Sequence, residues 1–346
     1  MRSGELAALT AALLWTFSSM LWGQVKLSAF TLNACKNVIG STIVVIHIAI
    51  VGFIYGSVSL TTNPIDLGWL ALSSLIGIVA GDTLYFRCLQ ILGARKALLI
   101  ACTSPLFALV FGFLFLQQHI GLVVLAGILM TLFGIATVVA DRRADVEAPG
   151  LLPGRFRTGV IFGLLSAGCQ ALGGLCSTIG MRDCGALEAM MVRLLVAGFV
   201  TVFVLLSQKA TRKSLSQTFQ WNYLKFVIPA TAIGTWLGIW CCQIAYKSAD
   251  LAIAQTLMAT CPLFAIPVVW IVFGHKPTRL AIVGTIVALV GIAMTLQDDP
   301  EPDRPADEET ISMLVQFESD GNRMNLGGTW SVSQTPLADR KNTYPS

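Results

Sequence analysis

Apolar runs of about 20 residues alternate with short polar loops over most of the chain. A helix of this length crosses the ~30 Å hydrocarbon core of a bilayer. The pattern therefore predicts ten membrane-spanning helices, called spans 1 to 10 here. They lie at about 4–23, 30–54, 67–89, 96–116, 120–140, 158–180, 185–207, 222–246, 249–273 and 278–296.

A hydrophilic linker divides these spans into two groups of five. The linker, residues 141–157, reads DRRADVEAPGLLPGRFR. The tail, residues 298–346, opens with DDPEPDRPADEE and stays polar, so it cannot bury a core and is predicted to be disordered. The predicted organisation is one five-helix repeat over 1–140, the linker, a second repeat over 158–297, and the tail.

A short motif indicates that the two groups are copies of one unit. SPLF at 104–107 recurs as CPLF at 261–264, an offset of 157 residues. Spans 5 and 10 keep this offset, whereas spans 3 and 8 align at 153, which predicts one extra helical turn in the second copy. The aligned pairs include Pro105 with Pro262, Gly134 with Gly291, Gly81 with Gly234 and Cys88 with Cys241.

The odd number of spans in each copy predicts that the copies are inverted. After five crossings the chain lies on the opposite side of the membrane, so the second copy enters from the other face. The basic loops change places between the copies, as an inverted repeat requires. The positive-inside rule places the odd-numbered loops in the cytoplasm and both termini outside, whereas Arg2 and a few tail residues favour the opposite orientation, so the orientation of the termini stays open.

Composition agrees with a membrane protein and removes several functions. Hydrophobic residues make up 55% of the chain and charged residues 12%, which is far from the balance of a soluble domain. The net charge of +4 is spread over loops and forms no patch for nucleic acid. The nine cysteines lie mostly within apolar runs, at spacings that fit neither a zinc site nor a disulfide framework. We therefore predict no metal and no cofactor.

Four features together point to a known family: the two five-helix halves, PLF in spans 4 and 9, a G-x₆-G helix closing each half, and GDTLYFRCLQILGARKA at 81–97. They resemble the EamA type of the drug/metabolite transporter superfamily. The resemblance covers about residues 4–297. It implies ten helices around a central cavity, alternating-access carriage of small metabolites, and a multi-pass location in the bacterial inner (plasma) membrane. The family usually has a glutamate just after spans 4 and 9, where this chain has Gln118 and His275.

Pro105 and Pro262 each remove a backbone donor inside an apolar run. We expect them to bend spans 4 and 9 beside the solute path. A static kink that serves packing alone is the alternative, and the residue pattern does not separate the two.

Asp82 is the most informative charge because it lies inside span 3. A carboxylate at that depth needs a partner, a water-filled cavity or a proton. It is a candidate site for a proton or a cation. The alternative is an interfacial aspartate that caps a helix or pairs with a loop arginine.

Lys36 and Arg193 occupy equivalent positions in spans 2 and 7, 157 residues apart. Each lies about two turns from its helix start, from where a long basic side chain can reach the interface. They are candidates for contact with an anion or a carboxylate. Snorkelling or ion pairing, with Glu188 as the partner of Arg193, is the favoured interpretation.

The other candidates for the solute and ion pathway are aromatic and amide side chains within the spans. Trp236, Trp240 and Gln243 are spaced i, i+4, i+7 and share one helix face, which could line a pocket for an amphipathic solute or form an interfacial belt. The remaining candidates are Tyr85, Gln90, Gln170 and Gln255. Four glycines of span 6 are predicted close-packing positions: Gly163, Gly168, Gly173 and Gly174.

The predicted function is secondary-active transport of small metabolites, with export of amino acids or related compounds as the expected activity. The chain contains no Walker A pattern, so ATP is not the expected driver. The expected partners are a small solute, the lipid bilayer and a coupled proton or cation; the oligomeric state stays open. The alternatives are a channel or a membrane-embedded enzyme. The three histidines form no cluster typical of such enzymes, and no enzymatic activity is predicted.

Overall fold

The structure is a computed structural model that describes residues 3–22, 25, 27–55, 63–92, 97, 100–118, 120–140, 156–207, 221–273 and 278–296. All regular secondary structure in these ranges is helical, which confirms the all-α fold. The predictions for the tail, for most of the linker and for His275 fall outside the described residues. The helices are α1 (Ser3–Trp22), α2 (Ala29–Tyr55), α3 (Pro64–Leu92), α4 (Ser104–Leu116), α5 (Leu122–Ala140), α6 (Phe156–Gly180), α7 (Ala186–Ser207), α8 (Trp221–Ser248), α9 (Leu251–Met258), α10 (Cys261–Phe273) and α11 (Arg279–Thr295).

Six of these helices are long and apolar enough to cross a membrane, namely α1, α2, α3, α6, α7 and α8. The others are shorter and also apolar. Large apolar side chains cover their outward faces; Phe53 of α2 is 91% exposed and Phe199 of α7 is 75% exposed. Exposed apolar surface of this kind is unfavourable in water and favourable in contact with lipid.

Span 9 is two helices and not one bent helix. α9 ends at Met258, and α10 begins at Cys261 after a two-residue turn. Pro262 lies in the first turn of α10, where the missing backbone N–H would have no partner within the helix in any case. Pro105 lies in the first turn of α4 in the same way. We expected the two prolines to bend spans 4 and 9, and the structure instead places each of them at the start of a helix.

The two halves align at a single offset of 157 residues. α3 and α8 begin that far apart (64 and 221), and each contains a segment of i→i+5 (π-helical) hydrogen bonds. These segments, Ser74–Gly81 and Thr231–Leu237, also begin 157 residues apart (74 and 231). The predicted extra turn in the second copy is wrong, and Gly77 is the residue that matches Gly234. Each copy has two glycines four residues apart, Gly77 and Gly81 in the first and Gly234 and Gly238 in the second. An alignment that is wrong by one helical turn therefore still pairs a glycine with a glycine.

Equivalent helices of the two halves run antiparallel where they touch. Four contacts give the direction: Asn37 with Thr201 and Ser41 with Gly198 between α2 and α7, and Gly127 with Thr295 and Gly134 with Ala288 between α5 and α11. Rising residue numbers on one helix meet falling numbers on the other. The axis that relates the halves is therefore perpendicular to these helices and lies in the plane of the membrane, which confirms the inverted repeat.

Gln118, in the turn between α4 and α5, joins the first half to α9. Its Oε1 accepts a hydrogen bond from the backbone N–H of Leu251 at 3.1 Å, and this N–H belongs to the first turn of α9. Gln117, just before it, has a left-handed backbone (φ 53°) that turns the chain after α4. A neutral amide oxygen thus satisfies an orphan helix N–H at the position where the resemblance led us to expect a glutamate.

Gly134→Ala should lower the thermal stability of the protein. A Cβ at this position would lie 2.5 Å from the backbone nitrogen of Ala288, so α5 and α11 must move apart, at a cost of about 1–3 kcal/mol. Gly168→Ala is the matched control, because nothing lies within 4 Å of a Cβ there, contrary to the predicted close packing. Thermal unfolding in detergent measures both variants, and equal Tm values would contradict the role of Gly134.

Candidate functional site

Two groups of buried polar side chains lie between the helices of the two halves. The Asp82 cluster consists of Lys36, Asp82, Gln170, Gln255 and Tyr246, and the Arg193 cluster consists of Arg193, Gln243 and Ser177. Water is scarce within a bilayer, so each of these groups needs a partner within the protein or a ligand.

Asp82 is held from two sides by side chains of other helices. Lys36 of α2 forms an ion pair with its Oδ2, and Gln170 Nε2 of α6 donates to its Oδ1 at 2.8 Å. Lys36 is only 3% exposed, whereas Asp82 is 24% exposed. The partner of Asp82 is therefore a lysine of the membrane interior rather than a loop arginine. Lys36 does not snorkel but is ion-paired, which is the other part of the favoured interpretation.

The π-helical segment of α3 positions this ion pair. Gly77 O accepts the backbone N–H of Asp82, which closes an i→i+5 turn, and also accepts Gln170 Nε2 at 3.3 Å. Asn33 Nδ2 of α2 donates to the carbonyl oxygens of Ile78 and Val79 at 3.1 Å each. A π-helical turn is wider than an α-helical one and is frequent at functional sites. Here it presents carbonyl oxygens to neighbouring helices just before Asp82.

The corresponding segment of α8 is bonded differently. Trp15 Nε1 of α1 donates to Gly234 O at 2.8 Å, in the place that Gln170 takes in the first half. The indole has no further donor or acceptor, so it serves the backbone alone. The backbone arrangement is thus repeated, but the carboxylate contact is present in one half only.

Gln255 connects the Asp82 cluster to the interrupted helix pair α9–α10. Its Nε2 donates to Tyr246 Oη at 2.7 Å and to the backbone oxygen of Gln170 at 3.3 Å. Its Oε1 accepts Ser104 Oγ at 3.2 Å, at the start of α4. Gln255 is 6% exposed and lies one turn before the end of α9. A movement at the break between α9 and α10 would therefore disturb hydrogen bonds to α4, α6 and α8.

Arg193 lies in α7 and is 5% exposed, so it does not snorkel either. One terminal nitrogen, Nη1, donates to Gln243 Oε1 of α8, and Gln243 Nε2 donates onward to Ser177 Oγ of α6 at 2.6 Å. Arg193 Nε has no hydrogen-bond partner within the described part of the chain. Glu188, the partner expected from the sequence, forms no ion pair with Arg193 within the described part of the chain.

The remaining candidates lie around these clusters. Trp236 packs against Trp240, with ring centroids 6.4 Å apart, and against His47 of α2 at 5.5 Å. Both tryptophans face α2 and α7 and are half-buried, so this stripe packs within the protein. Tyr85 packs against the neighbouring Phe86. Gln90 Nε2 donates to Leu27 O at 3.1 Å and tethers the end of α3 to the segment after α1.

Sequence reasoning missed Asn33 and Ser177, although both lie in the membrane interior. Asn33 is three residues before Lys36, so the two share a face of α2 and both reach α3. An amide in an apolar run, one turn from a lysine, was the available signal. Ser177 carried none, since serine is common at helix contacts in membranes.

An all-helical bundle of two inverted halves, with charged side chains buried between them, defines a membrane transport protein. The sequence matches the model of the EamA-like transporter family over residues 2–140 and 157–297. The chain belongs to this family, which is part of the drug/metabolite transporter superfamily. It is therefore a multi-pass integral membrane protein that transports small molecules.

The fold is similar to that of a protein of known crystal structure, among other solved structures. That protein is 17% identical in sequence, with a TM-score of 0.65, and the match covers 84% of this chain and 96% of that chain. Identity this low shows the fold alone. No curated protein matches the sequence.

Asp82→Asn should destabilise the protein more than Lys36→Gln. Without Asp82, the ammonium of Lys36 stays buried with no counter-charge, which costs about 3–5 kcal/mol. Without Lys36, the carboxylate keeps Gln170 and its partial exposure. The double variant should be more stable than Asp82→Asn alone, because no charge is left unpaired. Thermal unfolding of all four proteins gives the coupling, and strictly additive effects would contradict the ion pair.

Proposed function

We propose that the protein is a secondary-active transporter that exports amino acids or related small metabolites by alternating access across a bacterial inner membrane. The observation that carries this proposal is the Lys36–Asp82 ion pair, buried between the halves and connected through Gln170 and Gln255 to the break between α9 and α10. Charged groups are unfavourable in a bilayer and are retained mainly where they serve transport.

The inverted halves supply the conformational change. If the two copies exchange their conformations, an opening on one face of the membrane becomes an opening on the other. Such an exchange needs elements that change shape at low cost. The turn between α9 and α10 and the π-helical segments of α3 and α8 offer backbone that is not locked in regular α-helical bonds.

Asp82 is the proposed coupling site for a proton or a cation. A proton or cation at its carboxylate competes with Lys36 and Gln170 for the same two oxygens. Binding would loosen α3 from α2 and α6 together. The state of one carboxylate is thereby linked to the contact between three helices.

The charges also suit an amino acid as solute. A free amino acid carries an ammonium and a carboxylate, and side chains of both signs lie here: the buried Lys36 and Arg193 and the partly exposed Asp82. Gln255 and Tyr246 add neutral donors and acceptors beside them. A solute lacking charged groups would leave this arrangement unused.

Asp82→Asn should abolish the dependence of transport on pH or on the coupling cation. The measurement is uptake of a radiolabelled amino-acid mixture into proteoliposomes, with and without a proton or sodium gradient. Asp66→Asn is the control on the same helix, outside both clusters. Full gradient dependence in Asp82→Asn would remove Asp82 from the coupling mechanism.

Counterflow in the same vesicles separates the proposal from its alternatives. Exchange of internal for external solute that saturates with concentration supports a transporter. Ion conductance without counterflow indicates a channel, and a chemically altered solute indicates an enzyme.

Pro262→Ala should slow solute exchange more than it weakens binding. Alanine restores a backbone N–H that can bond the carbonyl of Met258, which lets α9 and α10 fuse into one rigid helix. Pro267→Ala, later in α10, is the matched control. Exchange rates come from counterflow and affinities from thermal-shift titration. Equal effects on rate and affinity would assign Pro262 to the pocket instead.

A further inference from the structure

Within the residues that the structure describes, each half carries one buried cation at an equivalent position, and only Lys36 has an acidic partner there. Lys36 and Arg193 are 157 residues apart, the offset that also relates the starts of α2, α3, α4 and α5 to those of α7, α8, α10 and α11. Lys36 has Asp82 as its counter-charge. The residue of α8 that corresponds to Asp82 at this offset is Ile239, which has no charge to offer.

The side chains around Arg193 are neutral groups. Gln243 accepts its Nη1, and Ser177 lies behind Gln243. The Cys242 side chain also interacts with the guanidinium. Glu188, one and a half turns earlier on α7, forms no ion pair with it within the described ranges. Arginine cannot lose its proton in a protein, so the positive charge remains.

One edge of the guanidinium lies against Gly77, a residue that has no side chain. A Cβ on Gly77 would be 3.3 Å from Arg193 Nη2 and 3.6 Å from the Cα of Gly173, so the guanidinium edge lies beside both glycines. Nη1 is taken by Gln243, whereas Nε has no partner in the part of the chain that the structure describes. Nε and Nη2 together form the planar two-donor edge that binds a carboxylate in bidentate fashion.

This edge and Asp82 flank the same π-helical turn. Gly77, beside Arg193, accepts the backbone N–H of Asp82, and Gln170 bonds both Gly77 O and the Asp82 carboxylate. A solute on Arg193 therefore lies next to the proposed coupling site. The arrangement gives the solute and the coupling ion one shared piece of backbone.

We propose that Arg193 is a substrate-binding residue that receives the carboxylate group of the transported solute through its Nε and Nη2. The inference rests on the proposed function and adds to it the chemical group that is recognised. A carboxylate supplies the counter-charge that the second half lacks. A solute without an anionic group would leave the buried guanidinium unpaired, which is unfavourable.

Matched trios of probes test this inference on the purified full chain in detergent. Each trio keeps one side chain and varies the charged ends: alanine, propionate and alaninamide; leucine, 4-methylpentanoate and leucinamide; phenylalanine, 3-phenylpropionate and phenylalaninamide. Thermal-shift titration gives an apparent affinity for each. We expect members with a carboxylate to stabilise the protein and the amides to do so at least tenfold more weakly.

Variants place the effect at the guanidinium. Arg193→Gln should weaken carboxylate binding about tenfold to a hundredfold, the loss expected for a charge-assisted hydrogen-bonded pair. Arg193→Lys keeps the charge but not the planar edge and should lie in between. The control variant is Arg182→Gln, which removes an exposed arginine located before α7.

Three results would overturn the inference: amides that bind as well as acids, no stabilisation by any carboxylate probe, or unchanged carboxylate affinity in Arg193→Gln. If that variant fails to fold, the comparison of acids with amides on the wild-type protein decides alone. Counterflow without preference for carboxylates would contradict the proposed role of Arg193 but not the proposed transport function. Carboxylate binding without counterflow would contradict the proposed transport function but not the role of Arg193.

Discussion

A side chain that needs a hydrogen bond finds almost no water inside a bilayer, and the interior of this protein is arranged around that constraint. Lys36 and Asp82 satisfy each other, and Gln170 satisfies both a carboxylate and a backbone carbonyl with one amide. Each such bond joins two helices. The polar groups therefore determine which helices pack together, because apolar faces gain little by leaving lipid for protein.

The inverted repeat is strict in the backbone and loose in the side chains. Both halves have a π-helical segment at the same place. Both also have a proline in the first turn of an equivalent helix, Pro105 in α4 and Pro262 in α10. The groups that bear charge differ: Asp82 has no acidic counterpart. A symmetric backbone can open to either face, whereas an asymmetric set of side chains can bind a solute in one orientation. The proposed coupling and recognition sites both lie in that asymmetry.

Much of the fold could be read from hydropathy, and the exceptions have physical causes. Apolar runs locate helices because every residue type in them is compatible with lipid, but they say nothing about where backbone bonds stop. The break before Cys261 and the π-helical turn before Asp82 are both invisible to that signal. Residue counting placed the glycines one turn out of register for the same reason. Side-chain partners such as Lys36 for Asp82 depend on helix packing and have no local pattern.

The sequence by itself determined the positions of the apolar segments, the duplication, the inversion and the identities of the charged residues within them, because each follows from period, length or composition. Only the tertiary structure decided which charges meet. Lys36 and Arg193 look alike along the chain, yet among the described residues Lys36 has an acidic partner and Arg193 has none. That difference arises because α3 brings a carboxylate to one position while α8 brings an isoleucine to the other, and contacts between distant helices are set by packing in three dimensions.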